Sequence, residues 1–417
     1  MAQLIAESAT RVHADLNYAL SQRNNHSVSE AAGLWTVGLL FPEFKQAKQW
    51  LELGHGLLER LAQKLIYKDG GFAQHSLNYQ RLVIQVYLWV LRLADLNRKE
   101  FSQKTRSRVA QAGSLLFNLQ DKTTGRVPCY GHNDGALVLP LNNCDYQYFR
   151  PITQCTNYYF KGYRCHEGGP WDEDLFWLFG SEAIEAPVER RPREELSALE
   201  GGYYTLRSKK GFSLVRCGSF KHRPAHADML PVDLWWKGIN LALDPGTFSY
   251  NAPDPWSNTL SHTRFHNTVS VDEKAQMDRA GRFLWLPWLT SMVRCNSRSE
   301  TGQISYWEGE PDGYQRLKDP VVHRRGILKL QEGWLVLDEL RSSDSHSYQL
   351  NWALCDCPFQ WEDEESLRLM TTEGAYYLRA AAIGAECVRT LVRADTDSPR
   401  GWSHPTTAIE NLPCPWR

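Results

Sequence analysis

The 417-residue chain has no long apolar run; nothing in it approaches the roughly 18 consecutive residues that a membrane-spanning helix needs. It has almost no excess charge either. Lys and Arg number 47 against 48 Asp and Glu, which argues against a nucleic-acid carrier, whose affinity would rest on a basic surface. Paired Cys-x-x-Cys spacing is missing: the ten cysteines are scattered from Cys129 to Cys414, and only Cys355 and Cys357 sit close. Such spacing suits free buried thiols better than a zinc module or a disulfide framework, and it leaves the compartment open. The first residues, Met1 to Ser8, lack the basic flank, apolar stretch and cleavage site of a secretory signal. Internal repeats and low-complexity tracts are also lacking.

What the chain has in quantity is aromatic rings: 16 Trp, 18 Tyr and 15 Phe. Large cores account for most of them, but flat apolar faces with polar edges also suit sugar rings. At about 150 residues per domain the length points to two or three domains. Two hydrophobic periods divide it. From about residue 10 to 180 the period is helical, with Trp50, Leu53, Leu57, Leu58, Leu61 and Leu65 on one face. Further helices are expected at about 76–96, 99–119, 146–163 and 172–179, separated by Asp69-Gly70-Gly71 and by a loop from Asp121 to Gly135. A charged segment carrying Pro187 and Pro192 follows. Beyond it, short runs such as Tyr203–Leu206, Phe212–Val215, Gly326–Leu330, Trp334–Leu337 and Tyr348–Leu354 alternate with turn residues. The expected organisation is stacked antiparallel helices over 1–182, a linker at 183–200 and an antiparallel β-sandwich over 201–417.

Three constellations could carry chemistry. Asn24-Asn25-His26-Ser27-Val28-Ser29-Glu30 opens a helix, where free N–H groups can bind an anion; plain N-capping by Asn is the alternative. Gln74-His75-Ser76-Leu77-Asn78-Tyr79-Gln80-Arg81 packs polar groups at the start of an apolar helix, with His75 and Tyr79 spaced to share a face. Tyr79 there is either a proton donor or a core residue of a capped helix. The third comprises His226-Ala227-Asp228, Asp244-Pro245-Gly246-Thr247 and His266-Asn267-Thr268. Two His and one Asp suit a borderline metal, although their separations are too long to be diagnostic.

Together these blocks resemble the heparinase II/III-like polysaccharide lyases, which include the oligoalginate lyases. The order of Asn24–Glu30, Gln74–Arg81, His226–Asp228, Asp244–Thr247 and His266–Val269 matches, and Gly169–Glu173 and Val336–Leu340 add to it. The resemblance implies a partial (α/α) toroid followed by a β-sandwich, and β-elimination at a bond 4-linked to a uronic acid. It implies catalytic roles for Tyr79, Asn25 and His26, with His75 a lesser candidate. Asn25 would neutralise the uronate carboxylate, while His26 and Tyr79 would share the parts of base and acid. Glu30 and Gln74, inside matched blocks, are expected substrate contacts, joined from the sandwich side by Arg223, Tyr250 and Arg264. Arginine suits sugar carboxylates through paired donors, with ordinary salt bridges the alternative. His226, Asp244 and His266 would hold a divalent metal, zinc in the family, in a structural role. The implied partner is an acidic polysaccharide, and the implied location is the cell envelope or periplasm, although the absence of signal features also fits the cytoplasm.

The pattern departs from the family in three places. The Asn-Asn-His block begins at residue 24, so a shortened toroid is expected. Pro224 stands where many lyases have another His. The Tyr often found shortly before His-Asn-Thr has no match among Asn258, Thr259 and Leu260. These departures keep a second reading open, a glycan-binding or assembly protein of the same fold with weakened turnover. A lesser third, a glycoside hydrolase, would need a carboxylate pair about 5–10 Å apart flanking the bond, for which Glu30 and Asp134 are available.

Overall fold

A computed structural model describes residues 1–299, 302, 304–331, 333–394 and 398–403. Its first part is helical: α1 (Ala2–Gln22), α2 (Asn25–Leu40), α3 (Ala47–Leu65), α4 (Leu77–Leu96), α5 (Gln103–Leu119), α6 (Arg150–Lys161), α7 (Asp172–Phe179) and α8 (Ser181–Glu185). The stripe read on α3 is its buried face, with Trp50, Leu57, Leu58, Leu61 and Leu65 all inside. The α4 helix is buried on nearly every side, which makes it the central helix, in contact with α2, α5 and α6. Among the described residues no helix is long and apolar enough to cross a membrane.

Two helices start later than their periodicity predicts. Ser102 caps α5 by accepting from the Thr105 amide at 3.3 Å, so the chain from Lys99 stays outside the helix. The α6 helix begins at Arg150 because the Tyr146 carbonyl is held by Arg81 at 2.5 Å. Pro151 then enters the first turn, where its missing N–H costs nothing.

The second part is a set of antiparallel sheets. The first has the sequential order β1 (Ser197–Ala198), β2 (Tyr203–Arg207), β3 (Gly211–Arg216), β4 (Val232–Trp236) and β5 (Ile239–Ala242). Strand β6 (Val269–Val271) pairs with β13 (Tyr348–Leu350), and β7 (Asp278–Gly281) with β8 (Leu284–Leu286). Strands β9 (Ser291–Arg298), β10 (Ser305–Pro311), β11 (Val322–Lys329) and β12 (Trp334–Arg341) form a four-stranded sheet. Strands β14 (Phe359–Trp361), β15 (Ser366–Thr371) and β16 (Gly374–Arg379) form a three-stranded one.

The first sheet is the middle layer of the molecule. Tyr203, Phe212, Leu214 and Trp235 join the helical core. Tyr204, Leu206, Val215 and Val232 point the other way and pack with Trp285, Trp307 and Ile327. Covered on both faces, β4 has no exposed residue, whereas β10 alternates, as a sheet with one wet face does. The charged segment before the sheets lies against the helices: the Arg164 amide donates to Pro187 and the Glu189 amide returns to Arg164, each at 2.9 Å. The nine described cysteines are free; Cys414 lies outside the described residues.

Candidate functional site

The site forms where α2, the approach to α4 and the chain between α5 and α6 meet the sheets. Asn24 caps α2 by accepting from the His26 amide at 3.0 Å, which leaves Asn25 and His26 in the first turn. The Asn25 amide donates to Gln74 Oε1 at 3.0 Å, tying this turn to the start of α4. The Asn25 Oδ1 is buried and without a partner. His26 is exposed.

The α4 helix begins two residues later than the shared-face reading of His75 and Tyr79 requires. Ser76 is its cap, accepting from the Tyr79 amide at 3.2 Å. His75 precedes the helix in a left-handed conformation, φ 53°, so the two side chains do not lie one turn apart on a helix face. The His75 ring packs edge-on to Phe220 at 5.0 Å, and its Nδ1 lies 3.4 Å from the Arg216 guanidinium. Burial, then the charges of Arg216 and His222, push it well below the usual imidazole range, so it is a neutral ring at the junction of helices and sheets.

Tyr79 points into the site and donates to Asp134 Oδ2 at 2.6 Å. Burial is the main reason its phenol rises far above its ordinary value, with Tyr250 and Asp134 adding to the shift. Tyr250 stands beside it and is raised by the same causes, burial first and the Asp134 charge second. From Tyr250 a row of rings leads inward: His132 at 5.4 Å, then His226 at 5.6 Å. Burial, with the Arg223 charge nearby, pushes His132 down to about 3, and its Nε2 has no partner.

His132 and Asp134 come from the chain between α5 and α6, which the sequence marks as a breaker and in which Asp134 stands out only as a carboxylate for the hydrolase reading. Polar anchors hold it. Ser76 Oγ donates to the His132 carbonyl at 2.6 Å, the Asn133 amide donates to Thr247 Oγ1 at 3.2 Å, and the Tyr146 hydroxyl donates to Asn133 Oδ1 at 2.6 Å. Arg81, fully enclosed by α4 and the Tyr146 and Phe149 rings, donates to Asn78 Oδ1 at 2.8 Å. Gly131 makes the approach possible: its φ is +82°, and a Cβ there would lie 2.1 Å from the His75 carbonyl oxygen. A connection of this length without regular structure is a common carrier of function. Its only sequence signal is a dense run of Cys, Tyr, His, Asn and Asp at 129–134.

The metal-type residues converge. His226, Asp228, Asp244 and His266 are buried, and one ligand atom from each lies within 4.8 Å of all the others. Asp228 is the member that sequence reading left out of the set. His266 Nδ1 is 3.2 Å and His226 Nδ1 3.9 Å from Asp244 Oδ2. Both nitrogens of each His and one oxygen of each Asp lack hydrogen-bond partners, a costly state for buried polar atoms that a cation would relieve. Nitrogen and oxygen donors of this number fit a divalent ion. Asn267 fixes the adjacent backbone, donating to the Val232 and Leu243 carbonyls at 2.8 and 3.0 Å.

The remaining expected contacts divide. Arg223 is half-buried over Phe283 at 5.7 Å and close enough to His132 to shift it. Arg264 is exposed and rests on Phe265 at 5.0 Å. Glu30 faces α1, where burial and then the Asp15 charge raise its carboxyl.

Models of known families match most of the chain: "Heparinase II/III N-terminus" over residues 4–129 and "Heparinase II/III-like, C-terminal" over residues 190–407. The chain belongs to the heparinase II/III-like family. Curated relatives in this family include heparin-sulfate lyases of Bacteroides thetaiotaomicron, 23% identical over 384 residues, and of Pedobacter heparinus, 22% identical over 371 residues. The first alignment covers 85% of this chain and 50% of the relative, the second 84% and 49%. The chain therefore spans about half the length of the curated relatives it matches. Among solved structures, heparinase III superposes with a TM-score of 0.65 at 16% identity, covering 84% of this chain and 52% of the other. The heparan sulfate lyase of Pedobacter heparinus gives 0.60 at 18%, covering 86% and 53%. These likenesses bear out the helical-then-β fold expected of a heparinase II/III-like chain.

Proposed function

We propose that the chain is a polysaccharide lyase that breaks a glycosidic bond 4-linked to a uronic acid by β-elimination. The observation that carries this reading is Tyr79: a phenol held protonated by burial, aimed by Asp134 and flanked by Tyr250, at the start of a helix tied through Gln74 to Asn25. The uronate C5 proton is only weakly acidic, being alpha to a carboxylate. Its removal becomes feasible when a preorganised donor neutralises that carboxylate and the dianion that follows. The Asn25 amide is assigned this task. His26, exposed in the first turn of α2, takes the C5 proton. The C5–H electron pair becomes the C4=C5 double bond, the C4–O bond breaks, and Tyr79 protonates the departing oxygen. A raised phenol suits an acid better than a base. His75 positions the approach to α4 rather than moving a proton.

His226, Asp228, Asp244 and His266 would hold a divalent ion, zinc by the character of the donors. When bound, it supplies positive charge that ties the three sheet-side loops together. Elimination consumes no water, so a structural role is assigned. The heparin-sulfate lyases among the relatives favour a sulfated, uronate-containing polysaccharide as the substrate, and the family resemblance favours the cell envelope. Pro224 is the observation behind the second reading, glycan binding without turnover. The hydrolase reading loses its carboxylate pair, since Glu30 faces Asp15 and Asp134 is engaged by Tyr79.

Digestion of heparosan, heparan sulfate and alginate, followed by ultraviolet absorbance of the conjugated unsaturated uronate, tests the proposal. Absorbance with one of these polymers is expected. Binding without any product would favour the second reading, and reducing ends without absorbance would replace elimination by hydrolysis.

A further inference from the structure

A second concave site lies away from Tyr79, where the segment before the sheets crosses the end of α5 and the start of α6. It is a cavity of about 270 Å³ whose lining includes Lys122, Arg150, Arg190, Arg191, Arg193 and Trp171. Five cationic side chains meet there, with Glu167 the one carboxylate in the lining, and Glu167 is already paired with Arg190 at 2.7 Å. Nearby Asp121 is spent on the amides of Thr123 and Thr124 at 3.0 and 2.7 Å.

The arginines are held in place. Arg150 donates to the Thr123 carbonyl at 2.6 Å and lies over Trp171 at 4.7 Å. Arg193 stacks on Phe117 at 3.8 Å and donates to Gln120 Oε1 at 3.0 Å, while its Nε is buried without a partner. Trp171 is fixed by donating to the Glu167 carbonyl at 2.9 Å. Asp172 anchors the turn below, accepting from Gln154 at 2.7 Å and from Arg164 at 3.3 Å. The block Gly169–Glu173, for which the elimination site has no use, thus contributes Trp171 to the wall of this cavity.

Clustered cations repel unless an anion joins them. Burial, followed by the charges around it, including those of Arg150 and Arg191, pushes Arg193 down to about 10, and burial lowers Arg150 as well. Guanidinium forks match carboxylate and sulfate oxygens two at a time. An indole in the same wall adds a flat apolar surface, which a bare inorganic ion would not use.

We propose that this cavity is an accessory site for a sulfate- or carboxylate-bearing saccharide, with the anion on the arginines and the sugar ring against Trp171. The anion preference stands on the cavity alone; the saccharide rests on the proposed function. Because no residue of the elimination site lines it, the two readings can fail separately.

The test is tryptophan fluorescence during titration with a sulfated uronate–hexosamine tetrasaccharide. The full chain is compared with Trp171→Phe, Arg190→Glu/Arg191→Glu and, as a fully surface change, Lys122→Glu. A saturable signal is expected that disappears in Trp171→Phe and needs about tenfold more saccharide in either charge-reversed variant, a change of about 1.4 kcal/mol. Release of unsaturated product from a short substrate should be unchanged in all three. Titrations that do not move in the charge-reversed variants would overturn the site. Equal affinity for inorganic sulfate would overturn the saccharide and leave a simple oxyanion pocket. A Trp171-dependent signal in a chain without lyase activity would sink the function reading and keep this one.

Discussion

At the scale of single residues the account turns on Tyr79. Its hydroxyl serves Asp134 and no core contact, so Tyr79→Phe removes a proton donor and leaves the packing in place. Turnover should fall by about 10²–10⁴-fold, the usual contribution of general acid–base catalysis, with the dissociation constant for substrate unchanged; a variant retaining full turnover would discard the assignment. Gly131 offers a second test. Gly131→Ala forces a side chain into a left-handed backbone at about 1–2 kcal/mol and against the His75 carbonyl oxygen. Activity should fall well beyond what the drop in melting temperature explains, because His132 and Asp134 ride on the displaced segment. Asn25 and Tyr79 were legible in the sequence as blocks of polar residues opening apolar helices. Asp134 was legible only as a stray carboxylate, because its partner lies 55 residues away and no periodicity encodes such a contact. Asp228 is not singled out in the metal set by the sequence, because water can complete the coordination of two His and one Asp and only the fold brings Asp228 within 4.8 Å of them.

At the scale of elements, the His266 turn is secured from the far sheet. Arg325 on β11 is fully buried and donates to the carbonyls of Asn267 at 2.5 Å and Leu230 at 2.6 Å. It also grips Asp338 on β12 with two bonds of 2.7 and 2.8 Å. The matched block Val336–Leu340 thereby acquires a physical role. Burial opposes ionisation of Asp338, but Arg325 and His323 overcome it and hold its carboxyl well below the usual carboxylate range. A depressed carboxyl contributes stability that is present above its unfolded value and lost as pH falls toward the folded one. Arg325→Met leaves that charge buried with only the His323 ring, 2.7 Å from Oδ1, beside it, which should cost about 3–5 kcal/mol. Burial, opposed then only by His323, would raise Asp338 relative to the parent, so acid should relieve the variant while it weakens the parent. The gap between their melting temperatures should narrow as pH is lowered, and a gap independent of pH would refute the pairing. His226→Ala tests the neighbouring cluster: bound metal measured by atomic emission should be lost and the melting temperature should fall, whereas unchanged metal content would dismiss the site.

At the scale of the whole molecule, the fold class was readable because two hydrophobic periods divide the chain near residue 180. The helix stripe on α3 survives in the structure, and the runs read at Tyr203–Leu206, Phe212–Val215 and Trp334–Leu337 lie in β2, β3 and β12. Less readable was the middle layer. The residues of β4 are buried on both sides, so alternation is absent, and only the three-dimensional stacking of helices, first sheet and four-stranded sheet explains why. The starts of α5 and α6 differ from the periodicity because Ser102 and the Arg81–Tyr146 contact set them. The same stacking brings Asn133 to Thr247 and His132 to His226, so the proposed elimination site and the His/Asp cluster are built by one packed junction.

Cleavage in water enriched in heavy oxygen tests the central claim most directly, because elimination adds no water across the bond. Mass spectrometry of fragments from a uronate polysaccharide should find an unsaturated uronate at one new end and no label at the other. Heavy oxygen at the new reducing end, with a saturated partner, would contradict the account.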